Sequence, residues 1–321
     1  MISELRVWIF WRQLLGVTLC APLCTFLSTG ALQAQSFPNS EPGAELEATD
    51  PASASRDAAG HPKIAEAYQL LESGNTAAAL DKFEFVLKDN QGDLSARLGQ
   101  AMIFAEQQRH PDAFRAYDTI VSQHPRHAFA WNGRGLAAFN MEDFDEALRS
   151  FKHATAEQPL NGFFYESLAW TLMCRGQFKQ AAQSAKQATL MYQKTSESSA
   201  YPLLIAYFSY LETGDGRSAQ TTLRYADKNK PRNQWPSPVV DYLQGELTQS
   251  ELISYVTDTT QETEAHTYIG LHLRNQGKMI DAGNHLSWVG RHGDPRVFEY
   301  TLARVLNLRE SVALHQTEIQ R

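Results

Sequence analysis

Cysteine is scarce in this 321-residue chain. Three occur, and Cys20 and Cys24 lie in an apolar N-terminal stretch, which leaves Cys174 alone in the remainder. No intrachain disulfide framework is possible there, and a lone cysteine does not fix the redox compartment. His-x-x-x-His with an intervening glutamate, Cys-x-x-Cys, Gly-x-Ser-x-Gly and a phosphate-binding loop are all missing. Zinc-protease, thiol-redox, serine-hydrolase and nucleoside-triphosphatase chemistry therefore lose their usual sequence carriers. Basic charge is also short: the net charge is -7, with no lysine- or arginine-rich stripe to neutralise phosphates. A nucleic-acid partner is not expected. No catalytic residues, no cofactor and no metal are expected, and the chain reads as a non-enzyme.

The N-terminus reads as an address. Met1 to Gln13 carries Arg6, Arg12 and Glu4, an apolar run follows from Leu14 to about Leu32, and Leu32-Gln33-Ala34 precedes Gln35-Ser36. A basic start, an apolar centre and a small residue at the end are the parts of a secretory signal peptide over residues 1–34. Two rivals stay open: an uncleaved membrane anchor, which Pro22 opposes, and a lipoprotein signal, for which Leu19 before Cys20 and Leu23 before Cys24 are poor fits. Export to the periplasm or envelope is expected, secreted or anchored, with membrane contact only through an uncleaved segment. Residues 35–60 are rich in Pro, Ser, Ala and acid. They bury too little surface to offset ordering entropy and read as a disordered linker.

What is abundant is repetition. Ala79, Ala113, Ala147 and Ala181 are 34 residues apart, with Ala219 and Ala282 following after longer gaps. Twelve residues earlier stand Ala67, Ala101, Gly135, Ala169, Tyr207 and Gly270, and four later stand Phe83, Tyr117, Phe151, Ala185, Leu223 and Leu286. Gly74, Gly176, Gly214 and Gly277 stand five before, and Pro125 and Pro159 close two units. Small residues are needed where two antiparallel helices cross, large ones beside the crossing, a left-handed glycine at the turn and a proline at the stop. The period predicts an all-α solenoid.

The unit Ala128-Phe-Ala-Trp131, Gly135, Asp143-Phe-Asp-Glu-Ala147-Leu, Phe151, Ala154, Pro159 resembles the tetratricopeptide repeat family. The resemblance implies five units over 61–229 and a sixth within 263–310, which a capping helix completes; residues 230–262 depart from the repeat and read as short connecting helices, and 311–321 reads as a tail. Within 230–262, Ser237 is expected to cap a helix with Pro238 at its first position, Gly245 to end it, and Thr248 with Glu251 to form a capping box. Asp294-Pro295 is expected to open the last helix, running to about Leu308 with Phe298, Leu302, Val305 and Leu306 facing the stack.

Trp235-Pro-Ser-Pro-Val-Val-Asp-Tyr-Leu-Gln-Gly245, Glu264-Ala-His-Thr-Tyr268-Ile-Gly270 and Val297-Phe-Glu-Tyr300 give a narrower resemblance, to NlpI-type repeat lipoproteins of bacterial envelopes. Those are homodimeric adaptors that bring proteases and cell-wall hydrolases together. The resemblance implies an exported scaffold that binds a protein or peptide, and a homodimer is one arrangement of it. A structural subunit of a secretion, pilus or polysaccharide-export machine is the alternative, and an enzyme with a dispersed site a third.

The family's inward-facing positions fall here on Leu98, Met102, Phe129, Asn132, Leu136, Phe139, Asn140, Phe163, Glu166, Trp170, Met173, Leu204 and Phe208. That wall is unusually apolar and aromatic. It reads as a partner-binding groove, as a dimer surface, or as a core covered within the chain by its own C-terminal helices. Gly133-Arg-Gly135-Leu-Ala-Ala138 mimics a dinucleotide fingerprint but lies inside a helix of the third unit, where close packing accounts for its glycines.

Overall fold

The computed structural model describes residues 62–195, 197–231 and 234–319, with side chains through Arg309. The expected signal segment and linker lie outside the described residues. Ten helices form five consecutive hairpins: α1 (Pro62–Glu72) with α2 (Thr76–Asp89), α3 (Leu94–Glu106) with α4 (His110–Gln123), α5 (Ala128–Asn140) with α6 (Phe144–Glu157), α7 (Gly162–Cys174) with α8 (Phe178–Lys194), and α9 (Ala200–Glu212) with α10 (Gly216–Asn229). Two short helices follow, α11 (Ser237–Gln244) and α12 (Gln249–Ser254). Then comes a sixth hairpin, α13 (Thr259–Asn275) with α14 (Met279–His292), and a last helix, α15 (Phe298–Ile319). Each helix packs on the next, the pattern of a solenoid. Among the described residues no helix is long and apolar enough to cross a membrane.

The repeat columns have direct packing causes. Ala79, Ala113, Ala147 and Ala181 are fully buried at the crossings, and Phe83, Tyr117 and Phe151 fill the space beside them. A Cβ added to Gly133 would meet Tyr117 Cζ at 2.4 Å, and one added to Gly135 would meet Phe151 Cε1 at 2.7 Å. The glycines of the nucleotide-like run are therefore seats for aromatic rings. Arg134 between them donates to Asp118 (2.7 Å), Glu146 (2.9 Å) and Ser150 (2.7 Å), tying three helices together. Asp143 accepts from the Glu146 amide as a helix cap.

Gly74, Gly176, Gly214 and Gly277 close their turns at φ of 81°, 72°, 74° and 77°. Units two and three make the same turn with Gln108 (φ 57°) and Glu142 (φ 60°). An L residue pays about 1–2 kcal/mol for this conformation.

Three local expectations are corrected. Ser237 is the first residue of α11 rather than its cap, because its hydroxyl donates to the Pro231 carbonyl. The last helix starts at Phe298, not at Asp294-Pro295, because the Asp294 carboxylate is held by Arg296 and by Thr260 (2.7 Å) in a turn. Residues 311–319 are helix rather than tail: Glu310 to Ile319 contains no glycine or proline, and nothing stops propagation. The Thr248–Glu251 capping box and the left-handed Gly245 (φ 83°) are present.

Replacing Gln108 by glycine removes the left-handed cost and adds back about 0.4–1 kcal/mol of unfolded-state entropy. We expect a net gain of about 0.5–1 kcal/mol, read as a rise in Tm of about 1–3 °C by calorimetry. An unchanged or lowered Tm would mean that the Gln108 side chain contributes more than its backbone costs.

Candidate functional site

The inner wall is where a partner was expected, and most of it is closed. Of the thirteen wall residues, nine are buried: Leu98, Met102, Asn132, Phe139, Glu166, Trp170, Met173, Leu204 and Phe208, all between 0% and 5% exposed. Phe129, Leu136, Asn140 and Phe163 are half-buried. Of the three readings left open for the wall, the burial of Phe139, Trp170, Met173, Leu204 and Phe208 speaks against an open groove along them.

From Phe139 onward the cover is the chain's own C-terminal region, whereas Leu98 is buried among the helices of units two and three themselves. α15 packs against α7, α13 and α14. The Phe298 ring lies parallel to Trp170, centroids 5.9 Å apart, and edge-on to Phe139 at 5.0 Å. Leu302, Ala303, Val305 and Leu306 are buried behind it. Arg309 donates to the Cys174 carbonyl and Arg304 pairs with Glu142 at 3.3 Å, so the strained turn residue of unit three also meets this helix. Burial pushes the Cys174 thiol far up, which favours its protonated form. Further along, Phe208 stacks on Tyr268 of α13 at 5.9 Å.

Covering a wall that contains carboxylates demands donors. Glu166 accepts from Tyr192 Oη (2.8 Å). Glu264 accepts from Tyr201 Oη (2.9 Å) and Trp235 Nε1 (2.6 Å), and Glu299 accepts from Tyr268 Oη (2.7 Å). Burial holds the Tyr268 hydroxyl well above its usual range, which keeps it a donor. Asn132 is different, since both of its side-chain amide atoms are buried without a hydrogen-bond partner. Such a group costs about 1–3 kcal/mol.

One apolar hollow stays open at the rim between units three and four. It holds about 500 Å³ and is lined by Phe129, Pro159, Leu160, Gly162 and Tyr192, with Glu157 and Glu197 at its edge. Leu160 is 67% exposed. Gly162 makes the hollow's floor possible, because a Cβ there would meet Tyr192 Cδ1 at 2.7 Å. Tyr192 in turn is fixed by its bond to Glu166. α8 runs 17 residues against 14 for α6, which carries Tyr192 past the end of the unit. Of the wall residues assigned from sequence, Phe129 alone lines this hollow. Leu160 and Tyr192 were missed. Their signals were an apolar residue directly after the closing Pro159, and the missing proline with the 38-residue step from Ala181 to Ala219. A second hollow, of about 470 Å³ beside Glu142, Asp145, Arg175 and Arg309, is polar, and Arg175 pairs there with Asp145.

At the sixth hairpin, burial and the neighbouring His285 hold His266 down to about 4. Burial also lowers His272 and His285. An unfolded histidine takes its proton near pH 6.5. Between pH 6.5 and 4 the unfolded state therefore binds more protons, and stability falls as pH falls. His266→Gln should flatten the decline in Tm between pH 7 and pH 4.5. A decline as steep as that of the parent chain would show that His266 does not contribute.

Tetratricopeptide-repeat sequence models match residues 64–128 and 128–161. Among curated proteins, none matches the chain by sequence. Among solved structures, a tetratricopeptide repeat protein from Parabacteroides merdae is 12% identical, covering 76% of this chain and 96% of its own, with a TM-score of 0.55. MamA from Desulfovibrio magneticus is 14% identical over 53% of this chain and 96% of its own, TM-score 0.48. A Thermus thermophilus repeat protein, TTC0263, is 20% identical over 53% and 91%, TM-score 0.40.

Proposed function

We propose that the chain, a tetratricopeptide-repeat protein, is an exported scaffold that docks another protein at the rim of its solenoid rather than along the inner wall. The observation that carries this reading is the contrast between the two surfaces. The wall is filled by α15 and α13, whereas the Phe129–Leu160–Tyr192 hollow keeps a large apolar side chain, Leu160, in water. Apolar and aromatic residues around a half-open hollow are favoured interface material. Glu197 at its edge, beside a Glu157 already paired with Arg126 at 3.6 Å, favours a partner that presents an apolar anchor with a basic flank.

Placement in a bacterial envelope rests on the N-terminal residues and on the likeness of the C-terminal segments to NlpI-type lipoproteins. On that reading the partners are envelope enzymes, such as proteases or wall hydrolases, held together by the scaffold.

The test is affinity capture by the full chain from a native envelope extract, with Leu160→Asp as the control. Leu160 is exposed, so the variant should keep its helical circular dichroism and Tm. We expect an envelope enzyme in the wild-type eluate and its reduction by about tenfold or more in the variant. Equal recovery by both chains would remove the hollow from the account.

A further inference from the structure

Away from the hollow and the covered wall, α13 and α14 bring two histidines together. His266 Nδ1 and His285 Nδ1 are 3.1 Å apart, and both rings are half-buried. In the neutral pair one Nδ1–H donates to the other Nδ1, so the two rings are in different tautomers. The His266 ring is clamped by Trp288, which stacks on it at 4.0 Å and 14°.

Zinc–nitrogen bonds of about 2.0–2.1 Å separate two ligand nitrogens by about 3.3 Å at the tetrahedral angle and about 2.9 Å at a right angle. The observed 3.1 Å lies between those values. Asp281 stands one turn before His285 on α14, and its charge acts on His285. Glu262 stands one turn before His266 on α13. Of the two, Asp281 puts negative charge beside the pair. Among the described residues no third histidine, cysteine or carboxylate converges on it.

We propose that His266 and His285 form a two-histidine site for a late first-row divalent cation, with Nδ1 of each as ligand and solvent completing the shell. Imidazole suits zinc, nickel and copper, and affinity rises toward copper. Binding converts the donor ring to its Nε2–H tautomer, so two neutral rings release no net proton. The Trp288 clamp fixes one ligand before the ion arrives.

The experiment uses the full chain without a histidine tag. Ni²⁺ is titrated calorimetrically into the wild type, His266→Gln, His285→Gln and, as a control on the same helix, His272→Gln. We expect one ion per chain in the wild type and in the His272 variant, and at least tenfold weaker binding in each of the other two. Absence of binding, or binding that survives in both pair variants, overturns the site. Should either variant lose its helical circular dichroism, Cu²⁺ paramagnetic resonance on the wild type decides the matter. Hyperfine structure from two imidazole nitrogens supports the site, and a pattern from one nitrogen or none overturns it.

Discussion

Hairpins stacked into a solenoid leave an inner wall that each repeat cannot cover by itself. In this chain that wall carries Phe139, Trp170, Met173, Leu204 and Phe208, side chains worth about 1.5–3 kcal/mol each when withdrawn from water. The contact of Phe298 with Trp170 and Phe139 withdraws the middle of it, and the Phe208–Tyr268 stack withdraws the rest. Much else follows from that closure. The sixth hairpin and α15 must reach back over units three to five, so the connecting helices α11 and α12 interrupt the 34-residue period. The carboxylates Glu166, Glu264 and Glu299 lose water and need Tyr192, Tyr201, Trp235 and Tyr268 as donors.

Closure also redistributes what the surface can do. The aromatic residues that looked most able to hold a partner hold the protein's own C-terminal helix instead. On the proposed reading, docking falls to edges where the repeat is imperfect. The hollow at Leu160 exists because α8 outruns its unit and Gly162 yields space to Tyr192. The histidine pair sits on a hairpin outside the run of five, where packing against Trp288 shapes it.

The fold class was legible because close packing writes itself into a sequence at fixed intervals. Alanine or glycine at a crossing and an aromatic beside it recur every 34 residues, and the structure shows the contacts that require them. The wall was legible as apolar, with a partner, a twin and the chain's own C-terminal helices all left open as its cover. An apolar residue at an inward position has the same identity whether it meets a partner, a twin or a helix 130 residues further on. Phe298, Leu302, Val305 and Leu306 were readable as facing the stack, but not as seated on Trp170. The turns at Gln108 and Glu142 were invisible for a related reason: the backbone of the repeat imposes a left-handed conformation that those residues do not themselves favour.

Amide hydrogen exchange tests the closure most directly, comparing the full chain with Leu302→Asp, a substitution at a residue 1% exposed. The account predicts that α15 and α7 are protected together in the parent chain. It also predicts that the substitution accelerates exchange in both while leaving α1 to α4 as they were. If α15 exchanges freely in the parent chain while α7 stays protected, the last helix does not cover the wall, and the inner groove returns as the place where a partner binds.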